Sequence, residues 1–62
     1  MPWDELYYPP AMAHLPSLVR RKAIEIANAL LAEGREEGFA IRVAIARAKE
    51  WARRRGVGRE PF

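Results

Sequence analysis

From Pro16 to Arg55 the apolar positions recur every three or four residues in two successive runs, separated by Gly34-Arg35-Glu36-Glu37-Gly38. That spacing predicts two amphipathic helices joined by a short turn. In the first, expected over about 16–33, Val19, Ala23, Ile26, Ala27 and Leu30 share one face, flanked by Ile24 and Leu31. Arg21, Lys22, Glu25 and Asn28 fall on the opposite, polar face. Pro16 suits the first helical position, where a missing N–H has no partner to lose, and Ser17 is an alternative cap. Gly34 supplies a left-handed stop.

The second helix is expected over about 36–55, with Glu36 and Glu37 at the positive end of its dipole and Gly56 ending it. Ile41, Ala44, Ile45, Ala48, Trp51 and Ala52 form its main buried stripe, with Ala40 at the margin. The alanines permit close approach of the two backbones and favour helix formation. Phe39, Val43 and Ala46 make a second, weaker stripe. Phe39 and Val43 are therefore candidate interface residues, to be covered by the rest of the chain or by another subunit.

Ahead of the hairpin lies an arm carrying Pro2, Pro9 and Pro10, with Trp3, Leu6, Tyr7, Tyr8 and Met12 among them. Residues before proline are pushed out of the helical region, so Tyr8-Pro9-Pro10 is extended. Pro10 can open one short helical turn near 10–13. Burying each large ring is worth roughly 1.5–3 kcal/mol, and two helices alone leave a groove for the arm to cover. The arm is expected to form the third wall of the core; a partner-docking segment is the alternative. Residues 1–56 then make one small helical domain and 57–62 a flexible tail.

Composition narrows the class. The chain has 62 residues, no cysteine and a net charge of +3. A single core at this size is marginal, and neither a disulfide nor a thiolate metal site is there to reinforce it. The absence of cysteine removes the main sign of an oxidising compartment. The longest strictly apolar run is Ala29 to Ala32, and Asp4 and Glu5 stand where a signal peptide would carry positive charge. A soluble, cytoplasmic protein with no membrane association is the expectation.

Charge is unevenly placed. Arg20, Arg21 and Lys22 open the first helix, and Arg53, Arg54 and Arg55 close the second. An antiparallel hairpin gathers all of them at one pole, with Glu33, Glu36 and Glu37 at the other, roughly 25 Å away for helices of this length. The cations at 53–55 complement a helix C-terminus, but those at 20–22 oppose the dipole of theirs. Either Asp4 and Glu5 of the arm fold over them or that end meets an external anion. The six basic residues are thus the candidate nucleic-acid or polyanion contacts.

Catalytic chemistry is poorly provided for. Ser17 is the sole serine, His14 the sole histidine, and there is no threonine, so no nucleophile, base and orienting group can be assembled. No three-ligand metal spacing and no glycine-rich phosphate loop occurs, and no cofactor is expected. Two helices around a glycine-containing turn outline a helix-turn-helix. The third supporting helix is missing, however, and the second helix has no Asn or Gln for adenine readout.

The strings MPW, YPPAM, LPSLVRRKAIEIANALLAEG, EEGFAI and AKEWA, over about residues 1–53, resemble the N-terminal helical module of bacterial YdaT-type proteins, which are uncharacterised. Lys22 to Leu31 is the most specific run. A fainter likeness, in the Leu-Pro and A-x-x-A patterns, points to ChaB-like proteins. The YdaT resemblance implies an α-helical module that includes Trp3, Tyr8, Pro9 and Met12, and it supplies no catalytic residues. In such proteins a similar segment can precede a separate domain, which is not expected here before Phe62.

Together these readings predict an all-α protein, a two-helix hairpin covered by an aromatic arm. Its expected role is a non-enzymatic interaction module that binds a protein partner or a second copy of itself. Non-specific, weak nucleic-acid or polyanion binding through the basic pole is the alternative.

Overall fold

The computed structural model describes residues 2–56; the expectation of a flexible tail at 57–62 lies outside them. A short 3-10 turn, Pro10–Met12, precedes α1, Ser17–Ala32, and α2, Glu37–Arg55. The two helices pack together as the all-α hairpin that the periodicity predicts. Among the described residues the extended backbone forms only an isolated antiparallel bridge between Asp4 and Tyr7.

The helix ends show why these boundaries hold. At the C-terminus of α1, Gly34 takes φ +92°, a conformation without penalty only for glycine. Its N–H donates to the Leu31 carbonyl at 2.9 Å and that of Arg35 to the Leu30 carbonyl at 3.1 Å. This pair of bonds is a Schellman closure. The chain then turns at once into α2, where the Glu36 carboxylate accepts from the Phe39 N–H at 2.9 Å. That bond, a second from the Gly38 N–H and the charge of Arg42 hold the Glu36 carboxyl below the ordinary carboxylate range. At the far end Gly56 closes α2 at φ +75°. Pro16 serves as the N-cap residue of α1 with no side-chain cap bond, which leaves Ser17 as the first helical residue. The expected roles of Pro16 and Ser17 are therefore shifted by one position.

The core is an alanine ladder laid against a mixed stripe. Ala40, Ala44, Ala48 and Ala52 are buried at four-residue spacing along α2, with Ile41, Ile45 and Trp51 half-buried beside them. Ala40 thus belongs to the ladder proper, not to its margin. Against it α1 places Val19, Ala23, Ile24, Ala27 and Leu30. Ile26, expected at the centre of this face, is only half-buried, while Ile24 is fully covered. The stripe is rotated because α1 has two partners, α2 and the arm. Trp3, Met12 and Leu15 are buried in the same cluster, so the arm is the third wall.

Asn28 is the clearest departure from the periodic reading. Expected on the polar face, it is 4% exposed. Its side chain is buried because the arm crosses it. The Asn28 Oδ1 accepts from the Trp3 N–H at 3.3 Å, and its Nδ2 donates to the Trp3 carbonyl at 3.0 Å. One amide side chain thereby satisfies both polar groups of a buried backbone residue, as a neighbouring strand would.

Candidate functional site

Two regions of the surface carry distinctive chemistry. The first is the basic end. Trp51, half-buried on α2, has the Lys22 Nζ 5.3 Å from its ring centroid and the Arg55 guanidinium carbon 5.5 Å away. The ring therefore joins the start of α1 to the end of α2, and the hairpin does gather the two basic groups. Each cation there also has an intramolecular partner. Arg20 donates to the carbonyls of Leu15 at 2.8 Å and Ala13 at 3.3 Å, and stacks 4.9 Å from the Tyr8 ring. Arg21 pairs with Glu5 of the arm at 2.6 Å, Lys22 with Glu25 at 3.4 Å, and Arg53 and Arg54 both with Glu50. Of the two explanations for cations at the head of α1, the arm folding over them through Glu5 is realised at Arg21. Arg20 clamps the segment that precedes α1, its guanidinium donating to two carbonyls there.

The second region lies between the arm and the first turns of α2. An open groove of about 400 Å³ is lined on the arm side by Trp3, Tyr7, Tyr8, Pro9 and Pro10, and on the helix side by Glu37 and Ile41. Its walls are fixed from behind. Trp3 is held by Asn28, Tyr8 by Arg20, and the proline rings restrict their own backbone. Tyr7 is set by the turn beneath it. Its N–H donates to the Asp4 carbonyl at 3.2 Å and its carbonyl accepts from the Asp4 N–H at 2.9 Å. The Asp4 Oδ1 accepts from the N–H groups of Leu6 and Tyr7, both at 2.8 Å. That turn displays Leu6 at 95% exposure and Tyr7 at 71%, a large apolar surface on a constrained tip.

The groove was not visible as a site in the sequence, since its two sides are almost 30 residues apart and meet only once Asn28 seats the arm. The aromatic and proline content of the arm was the available signal. Phe39 and Val43, the candidate interface pair, are half-buried, and the Arg35 guanidinium stacks 5.2 Å from the Phe39 ring. Residues of this chain thus cover part of that stripe. His14 and Ser17 are exposed beside the foot of α1. Among the described residues no cluster of metal-ligating side chains occurs, and no helix is long and apolar enough to cross a membrane.

Fold and surface together define a small all-α module, a helical hairpin with a docked aromatic arm. The chain is 54% identical over 52 residues to the uncharacterised protein YdaT of Bacillus subtilis (strain 168), a match covering 84% of this chain and 35% of that protein. It therefore carries the YdaT-type helical module, and it spans little more than a third of the length of that relative. No family model matches, so the fainter ChaB likeness has no match behind it, and no solved structure matches.

Proposed function

We propose that this chain is a non-enzymatic protein-interaction module of the cytoplasm, working through the groove between its arm and α2. The observation that carries this reading is the preformed groove, with its aromatic and proline walls immobilised by Asn28 and Arg20 before any ligand arrives. Preorganisation lowers the ordering cost that a binding surface must otherwise meet. The neighbouring Leu6 and Tyr7 extend the apolar surface outward, where a soluble domain with no partner has little reason to place them.

Polyanion binding through the basic end is the competing reading. Exposed ion pairs are weak, about 0–1 kcal/mol each, so a phosphate backbone could displace them. The pairing nonetheless offsets much of the field at that end, since Glu5, Glu25 and Glu50 stand among the six cations.

Capture of partners from a native extract separates the two. The wild-type chain, Tyr7→Arg and a variant with Arg53, Arg54 and Arg55 replaced by Ala serve as baits. A partner lost with Tyr7→Arg and kept by the triple variant is the expected result. Capture unaffected by Tyr7→Arg but abolished by nuclease, ~0.5 M salt or the triple variant would put function at the basic end instead.

A further inference from the structure

We infer that the groove takes an extended, proline-bearing peptide with an adjacent basic residue, an inference that rests on the interaction-module reading above. The lining decides the chemistry. Tyr7 and Tyr8 offer aromatic surface and Pro10 pyrrolidine surface, with the buried Trp3 and Pro9 behind them. Both surfaces suit stacking against the rings of a second proline segment. A polyproline II ligand has no internal hydrogen bonds, so its carbonyls are free to accept from the tyrosine hydroxyls. It is also ordered beforehand, which suits a groove that is itself ordered. The volume of about 400 Å³ fits roughly one turn of such a ligand, three residues rising ~9 Å.

The charge of the occupant follows from Glu37. Among the described residues it is the single carboxylate of the lining, it is exposed, and no Lys or Arg lines the groove with it. It stands in the first turn of α2, at the positive end of that helix. An anionic ligand would meet this carboxylate with no cation in the described lining to offset it. A Lys or Arg beside the proline turn would instead pair with it at the groove edge, which sets the direction of the peptide. Among the described residues no ion pair forms at Glu37: the cations near the arm are committed to Glu5 and to the carbonyls of Ala13 and Leu15.

Amide chemical-shift titration of the whole chain with acetyl-Ala-Pro-Pro-Pro-Pro-Arg-Ala-amide tests the inference. Saturable shifts are expected at Trp3, Tyr7, Tyr8, Glu37 and Ile41, with those of Lys22, Trp51 and Arg55 unmoved. Tyr7→Ala, an exposed position that the fold tolerates, is expected to weaken binding about tenfold. Glu37→Gln, and a peptide with Glu in place of Arg, are each expected to weaken it about threefold. Equal binding of an all-alanine peptide, shifts centred on Trp51, or no saturation at millimolar peptide would overturn the inference. So would groove shifts that follow protein concentration with no peptide present, since a second copy would then be the occupant. Failure here with Tyr7-dependent capture retained removes only the ligand class; failure of both removes the interaction reading.

Discussion

The two ends of this molecule are held by different means. Toward the turn end the fixed groups are largely backbone: Asn28 spans both polar groups of Trp3 in a buried contact, and the Schellman bonds and the Glu36 cap close the exposed helix junction. At the basic end the contacts run between long, exposed side chains, with Glu50 serving both Arg53 and Arg54 and Trp51 lying under Lys22 and Arg55. Exposed pairs of that kind are worth little and fade with salt, whereas a buried polar group left without its partner costs about 1–3 kcal/mol. The end with the most charge is therefore the end with the least geometric constraint. Fixed geometry is concentrated where the groove lies.

Removing the anchor of the rigid end is expected to have the largest effect. Trp3→Ala deletes a side chain that is 6% exposed, a change that costs about 3–5 kcal/mol for a buried aromatic. A domain of this size has only some 3–5 kcal/mol in total, so helicity itself should fall at room temperature. Urea unfolding followed by circular dichroism measures it. A loss below ~1 kcal/mol would mean that the hairpin stands without the arm, and the contrast between the two ends would collapse.

Asn28→Ala comes next and sharpens the same contrast. It leaves the Trp3 N–H and carbonyl facing a small cavity, at a cost of about 1–3 kcal/mol per unsatisfied group after partial relaxation toward water. The arm should loosen before the helices do. Hydrogen exchange is expected to accelerate at Trp3 and Tyr7 while Ala44 and Ala48 keep their protection. Uniform acceleration throughout the chain would show that arm and hairpin open as one unit.

Asn28 also marks where sequence reasoning stopped. The hairpin was legible because its buried positions repeat with the helical period and its ends carry glycine at Gly34 and Gly56. The docked arm was legible from its rings, which are too large to leave in water. The role of Asn28 was not, because a helical wheel assigns a polar residue to solvent unless something non-periodic covers it. The same is true of Ile26 and Ile24, whose burial depends on where the arm crosses α1. The groove inherits that difficulty, as its position follows from the crossing and from no local motif. The charge clustering was correctly placed, and its internal pairing depended on rotamers that residue spacing does not specify.

The smallest effect belongs to the basic end. Glu50→Gln removes the acceptor shared by Arg53 and Arg54, and Glu50 is already 43% exposed in its side chain. Solvent screening limits the expected destabilisation to about 0.5 kcal/mol at low salt, vanishing near 1 M. The urea midpoint at the two ionic strengths reports it. A loss above ~1 kcal/mol that persisted at high salt would place a constrained network at this end too. The same variant raises the net charge there by one and frees two guanidinium groups. If the basic end binds polyanions at all, Glu50→Gln should tighten that binding and steepen its salt dependence. An unchanged slope would leave the cations of this pole as partners for their own carboxylates and for Trp51.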